Sequence, residues 1–235
     1  MIHLPHEAGV ALTPAVDPRR RLAWRAALLA PVLLGPLWVL TAGRLLPDRL
    51  PGTLAGFVAV ALLLACSWTD LRWHKVPNWA TYPAFLWAVL LNAIATLEGG
   101  ADWPWLGAIG LGLSLAGGAV CFTVMFFIYR LAGGGAGDVK LATALGTLLG
   151  IQDGIGALIC AYLFAAVTML CWAIWTVGPL HLAASLGRRI GSFLLPFWVA
   201  PPNAEQEQLL HRKVPLSLFF ALGTVLIWTG WPQSW

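Results

Sequence analysis

Charged residues are scarce in this chain. Only 10% of its 235 residues are Asp, Glu, Lys or Arg, and 59% are hydrophobic, whereas soluble domains carry about 25% charged residues. This shortage excludes an ordinary soluble domain and indicates an integral membrane protein. Because each membrane-spanning helix takes about 20 residues, the length predicts one bundle of helices with little left for a soluble domain.

Closely spaced cysteines are also absent. The four cysteines, Cys66, Cys121, Cys160 and Cys171, lie in apolar segments and form no C-x-x-C pair. A zinc site needs ligands at short spacing, so we interpret these cysteines as small packing residues. The net charge is +4, but the cations are scattered at segment ends, and such scatter does not indicate a nucleic-acid partner.

Apolar runs predict an all-helical bundle of about seven transmembrane helices. The runs cover residues 22–40, 53–68, 79–97, 105–131, 141–151, 155–177 and 214–228. The run at 141–151 is shorter than the ~17 residues needed to cross alone. It is therefore expected to be tilted, to recruit the preceding motif as its first turn, or to continue through Asp153.

The distribution of Lys and Arg predicts the orientation. With a cytoplasmic N-terminus, the inner segments hold every Lys and Arg except Arg44 and Arg49, as the positive-inside rule requires. We therefore predict a short cytoplasmic lead at 1–21, an extra, uncleaved transmembrane helix at 22–42, and a membrane domain at 53–230. That domain contains an inner loop at 181–213.

Two aspartates reach the same membrane edge in this topology. The second helix ends at Asp70, and the fourth ends at the glycine-rich stretch GGGAGDVK, residues 133–140, which contains Asp138. Charge at membrane depth is costly and typically functional, and two close carboxylates share a proton because both cannot easily ionise. One can accept a proton from water while the other donates to a carbonyl oxygen, as in aspartic proteases. Glycines would let an extended peptide approach the backbone.

The residues around each aspartate resemble the two catalytic motifs of type IV prepilin peptidases. The stretch DLRWHKVPN, residues 70–78, is similar to their first motif, an aspartate followed by basic residues and then Ile/Val-Pro-Asn. The stretch GAGDVKL, residues 135–141, is similar to the G-x-G-D-x-K-L motif of GxGD membrane aspartyl proteases. Val214-Pro215 resembles the start of the family's final span. The resemblance extends from about Ala61 to Gly230.

This resemblance implies an aspartic endopeptidase that cleaves the leader of prepilin-like or pseudopilin precursors in type IV pilus and protein-secretion systems. It implies that Asp70 and Asp138 are catalytic, on the cytoplasmic face of the bacterial inner membrane, and that Gly135 and Gly137 shape the site. Long-form relatives carry paired C-x-x-C motifs in an inner loop and methylate the new N-terminus. The lack of such motifs predicts a peptidase without methyltransferase activity, like the short peptidases of tight-adherence pilus systems.

Three further residues are predicted to shape the site or bind substrate. Lys140 is placed to interact with the aspartate pair or with an acidic residue of the substrate. Pro77 and Asn78 are expected to start the next helix, with Pro77 in its first turn and Asn78 satisfying local backbone groups, so that Asp70 is positioned. The chemistry needs no metal or cofactor. The expected partners are the precursor protein and membrane lipid.

Other functions remain open at this point. A presenilin-like protease for other transmembrane peptides would keep both aspartates, although Ser67-Trp68-Thr69 precedes Asp70 where such relatives carry a Tyr-Asp motif. A transporter would use the aspartates as ion sites but predicts carboxylates at the membrane midplane and two repeated halves. A catalytically silent assembly component of a secretion system is the third alternative.

Overall fold

The computed structural model describes residues 18–45, 52–98, 104–132, 135–177 and 215–230, and its regular structure in these ranges is helical. The six helices are α1 (Pro18–Leu45), α2 (Leu54–Trp73), α3 (Asn78–Leu97), α4 (Leu111–Ala132), α5 (Ala136–Val177) and α6 (Leu216–Trp228). All except α6 are long and apolar enough to cross a membrane. The prediction of an all-helical, multi-pass membrane protein is confirmed. Most of the predicted lead, and the whole inner loop at 181–213, lie outside the described residues.

Helix α1 lies at the edge of the bundle. It contacts α3 through Trp24, which stacks on Tyr82 with ring centroids 6.2 Å apart, and through the Trp87 indole N–H, which donates to the Leu28 carbonyl oxygen at 3.1 Å. Its leucines are mostly exposed: Leu22, Leu29, Leu33, Leu37 and Leu40. An apolar helix with an exposed apolar face is what a lipid-facing position requires.

Helix α4 begins later than the apolar run at 105–131 suggests. Residues 104–110 instead cover the beginning of α2, where the carbonyl oxygens of Trp105 and Leu106 accept hydrogen bonds from the backbone N–H groups of Leu54 and Ala55 at 2.9 and 3.1 Å. The first amides of a helix have no partner within it, so this segment supplies one. Hydropathy alone does not distinguish such a capping segment from a helix. The predicted start of the helix, at residue 105, is therefore too early.

Helix α5 consists of two halves that meet at Gly150. This residue has φ 82° and ψ −172°, a backbone conformation that residues with a Cβ rarely adopt. A Cβ added at Gly154 would lie only 3.1 Å from the Cα atom of Gly146. An unbroken helix would separate these two residues by about 12 Å, so the chain reverses at Gly150. The first half begins at Ala136. The helix predicted from the short apolar run at 141–151 therefore starts earlier and includes the end of the glycine motif as its first turn.

Helices α4 and α5 approach closely at small residues. A Cβ added at Gly117 would contact the carbonyl oxygen of Gly146 and lie 2.7 Å from the Cα atom of Gly150. The Ser114 hydroxyl donates to the carbonyl oxygen of Thr147 at 2.7 Å across the same interface. Small residues allow membrane helices to gain close van der Waals contact, and here they hold the first half of α5 in place.

We expect Gly117→Ala to destabilise the protein by about 1–3 kcal/mol, because the new methyl group meets backbone atoms that cannot rotate away. Gly112→Ala is the matched control, since it lies on the same helix and a Cβ there meets no atom within 4 Å. Thermal unfolding of both variants in the same detergent measures the difference. Equal stability of the two variants would contradict this account of the interface.

The bundle brings the end of α2 and the start of α6 together. Ser67 of α2 donates through its hydroxyl to the carbonyl oxygen of Ser217, near the start of α6, at 3.3 Å. Helix α6 also packs on the second half of α5, where a Cβ added at Gly223 would lie 3.0 Å from the backbone nitrogen of Ala161. The last turn of α2 therefore meets the first turn of α6, and α5 lies against both helices.

Candidate active site

Asp70 lies in the last turn of α2. The helix stops at His74, which adopts the left-handed conformation (φ 49°, ψ 43°) and donates its backbone N–H to the Asp70 carbonyl oxygen at 2.8 Å. The sequence favours a helix end close to this point. Val76 precedes Pro77, and the residue before a proline avoids helical geometry. Asp70 is only 7% exposed, so its carboxylate requires partners within the protein.

Ser217 supplies two of these partners. It is the second residue of α6, and both its backbone N–H and its hydroxyl donate to Oδ2 of Asp70, at 3.2 and 2.7 Å. Ser217 is fully buried. The sequence-based prediction missed this residue. Val214-Pro215 indicated a helix start, whose free amides favour an anion, but nothing in the sequence indicated which carboxylate that start would meet.

Asp138 is the third residue of α5 and is half-buried. Its carboxylate interacts with the backbone amide of Gly135, the residue just before the helix. A side chain that reaches back to the amide preceding its helix satisfies one of the free donors of the first turn. A Cβ added at Gly135 would lie 2.8 Å from Oδ2 of Asp138, so the absence of a side chain at 135 leaves room for the carboxylate.

The two aspartates interact electrostatically with each other, and both interact with Cys66. Cys66 lies one turn before Asp70 on α2 and is fully buried, so the thiol lies within the electrostatic reach of both carboxylates. The carboxylates of the two motifs are thus brought to one end of the bundle. Among the described residues, no group of three or more His, Cys, Asp or Glu side chains is arranged to hold a metal ion.

The two predicted motifs also touch through their backbones. A Cβ added at Gly137 would lie 2.8 Å from Cβ of Val76, which means that the start of α5 packs directly on the α2–α3 connection. This contact fixes the residue just before Asp138 against the segment that follows Asp70. Gly133 and Gly134, the first residues of the glycine run, lie outside the described residues.

Asn78 has a different role from the one expected. Its side-chain oxygen accepts a hydrogen bond from the Lys140 ammonium group at 3.0 Å, and the same ammonium lies 5.4 Å from the centroid of the Tyr82 ring. Asn78 was predicted to satisfy backbone groups at the start of α3, whereas the hydrogen bond seen at its side chain joins it to Lys140 of α5. Pro77 precedes α3 as its N-cap, without a side-chain hydrogen bond, instead of lying in its first turn.

The remaining cations near the first motif are exposed. Arg72, His74 and Lys75 all have solvent- or lipid-accessible side chains, and the Arg72 guanidinium lies 5.5 Å from the centroid of the Trp73 ring. Lys140 is therefore the cation that links the two motifs, whereas these three point away from the buried part of the site.

We expect Lys140→Met to lower the cleavage rate about twofold to fivefold, because exposed polar pairs contribute roughly 0.2–1 kcal/mol. The methionine keeps the apolar stem and removes the ammonium that links Asn78 to α5. Lys75→Met, which removes an exposed cation from the α2–α3 connection, is the matched control and should cleave at the wild-type rate. A loss of equal size in both variants would show that net positive charge matters, and not the link to Asn78.

Comparison with known families identifies the same region of the chain. Residues 57–174 match the model of the type IV leader peptidase family. This segment covers half of the 235 residues and includes both aspartates. Searches among curated proteins and among solved structures gave no match. The chain belongs to the type IV leader peptidase family, a family of membrane proteases.

Proposed function

We propose that this protein is an aspartic endopeptidase that removes the leader from prepilin-like or pseudopilin precursors, with Asp70 and Asp138 as its catalytic pair. The observation that carries the proposal is the packing of the start of α5 on the α2–α3 connection, where a Cβ added at Gly137 would lie 2.8 Å from Cβ of Val76. This packing brings together the helix ends that carry the two aspartates. The family match supports peptide hydrolysis. Both aspartates lie in terminal turns of their helices, which favours a protease at the membrane edge over an ion pathway at the midplane.

The proposed reaction adds water across one peptide bond. An ionised aspartate takes a proton from water, the water oxygen bonds to the carbonyl carbon, and the protonated aspartate gives its proton to the carbonyl oxygen. The tetrahedral intermediate then collapses. The C–N bond breaks, the leaving nitrogen takes the proton held by the first aspartate, and the new carboxyl group returns a proton to the second. Both aspartates regain their starting states.

Gly135, which is exposed, is proposed to let the extended leader pass close to Asp138. Gly137 is proposed to shape the site by letting the start of α5 pack on Val76. Lys140, Asn78 and Pro77 hold the two motifs in register beside it. The site faces the cytoplasm in this proposal, because the end of the bundle that carries it also carries Arg72, Lys75 and Lys140, and cytoplasmic edges are rich in cations. With no paired C-x-x-C motifs in the sequence, the protein cleaves its substrate without methylating it.

Co-expression with a prepilin-like substrate in a host that lacks other leader peptidases tests the proposal. We expect mass spectrometry to show a substrate shortened by its leader, cut at one bond and without an added methyl group. A full-length substrate in the presence of folded wild-type enzyme would overturn the proposed function. A shortened substrate carrying a methyl group would overturn only the absence of methyl transfer.

A further inference from the structure

The two carboxylates of the site have unequal surroundings. Asp70 is almost fully buried, and its Oδ2 atom accepts two hydrogen bonds from Ser217. Asp138 is half-buried, and its contact is with the amide of Gly135. Donors to a carboxylate favour its charged form, and hydrogen bonds with an ionised partner are the strong ones. Burial by itself disfavours a charge on Asp70, and the two donors of Ser217 offset that cost. Hydrogen-bond donors therefore stabilise a negative charge more at Asp70 than at Asp138.

The beginning of α6 adds to this asymmetry. The first amides of a helix are free and carry a partial positive charge, and Ser217 is the second residue of α6. Helix α6 packs against α2, and Asp70 thus faces the positive end of α6.

Among the described residues, Cys66 of the same helix and Asp138 of α5 interact electrostatically with Asp70. The charge of Asp138 also acts on Tyr162 in the second half of α5. The nearest cation that α5 offers, Lys140, is engaged with Asn78 and Tyr82. Between Pro215 and Gly230, the segment that contains α6 has no titratable side chain. Ser217 therefore supplies the donors that distinguish Asp70 from Asp138.

We propose that Ser217 is a positioning residue that holds Asp70 as the ionised member of the pair, so that Asp70 takes the proton from water while Asp138 gives its proton to the carbonyl oxygen. This inference rests on the proposed peptidase function. It adds to the site a residue that lies outside the family-matched segment 57–174. It also makes the docking of α6 a condition for an active pair.

The pH dependence of kcat/KM for a prepilin-like substrate tests this role. In Ser217→Ala the serine hydroxyl is lost and the backbone donor stays, so we expect the acid limb to move up by about one pH unit, the value of one hydrogen bond to a charged group. Ser217→Thr keeps a hydroxyl and should restore the wild-type limb. Ser67→Ala is the structural control, because it removes a hydrogen bond from the same α2–α6 contact without touching Asp70, and its acid limb should stay in place.

An acid limb that is unchanged in Ser217→Ala, or shifted equally in Ser67→Ala, would overturn the inference while leaving the peptidase function intact. Absence of cleavage by the wild type would overturn the peptidase function instead. Infrared difference spectra then still test Ser217, because Asp70 can be titrated in Asp138→Asn without any substrate. Adding Ser217→Ala should raise the midpoint of that titration by about one pH unit, and an unchanged midpoint would overturn the role assigned to Ser217.

Discussion

Replacing either Asp70 or Asp138 by asparagine is expected to slow leader cleavage by at least about 10³-fold, because a positioned acid or base typically contributes 10²–10⁴-fold. Asparagine has the shape of aspartate but can neither take a proton from water nor give one to the carbonyl oxygen. At position 70 its side-chain oxygen can still accept the two hydrogen bonds that Ser217 donates, and position 138 is only half-buried. The variants should therefore fold, and the loss should lie in the chemical step. Cleavage of the substrate at matched protein levels measures it.

Glu98→Gln provides the matched control for these variants. Glu98 is an exposed carboxylate at the C-terminal end of α3, and α3 begins at Asn78 beside the site. A helix of 20 residues is about 30 Å long, so Glu98 lies far from the aspartate pair. We expect this variant to cleave at the wild-type rate. A normal rate in Asp70→Asn or Asp138→Asn would rule out the aspartate pair, whatever the control does.

Gly137→Ala is expected to reduce cleavage by about 10²-fold, the loss typical of a catalytic group displaced by about 1 Å. The added methyl group would lie 2.8 Å from Cβ of Val76. The start of α5 and the α2–α3 connection would then have to separate, and the next residue is Asp138. We expect a lower kcat with little change in the thermal unfolding temperature, because the contact lies at the ends of helices and not in the core.

Adding Val76→Gly to Gly137→Ala should recover about tenfold of the lost rate, since the Cβ atom that meets the new methyl group is removed. Val76→Gly alone serves as the control for the added flexibility of the connection. If Gly137→Ala is as active as the wild type, the close contact between the two motifs does not position Asp138. A double variant no faster than Gly137→Ala would assign the loss to another cause.

The sequence predicted the broad arrangement because it follows from one-dimensional signals. Hydropathy predicted the helices. Because consecutive helices run in opposite directions, the helix ends that carry Asp70 and Asp138 were predicted to lie at the same edge of the membrane. The same signals could not predict Gly150 as the point of reversal, since its position depends on the backbone conformation that α4 and α5 adopt together. The start of α4 was misplaced for a similar reason, because residues 104–110 are apolar but cap another helix.

Side-chain partners were the least predictable part of the site. Lys140 and Asn78 were each expected to shape it, but their mutual hydrogen bond depends on how α5 and α3 cross. Ser217 was missed because α6 reaches Asp70 across a long sequence separation, and a serine near a helix start has many ordinary explanations. Such contacts are decided by packing, which local patterns in the sequence do not record.

The most direct test of the aspartate pair is a single-turnover measurement with enzyme in excess over a prepilin-like substrate in lipid vesicles. The wild type, Asp70→Asn, Asp138→Asn and the double variant are compared under the same conditions. Groups that act as a unit show strongly non-additive losses, so we predict that the double variant is no slower than either single variant, with all three at least about 10³-fold below the wild type. Losses that multiply in the double variant, or a single variant that cleaves at nearly the wild-type rate, would contradict a catalytic pair.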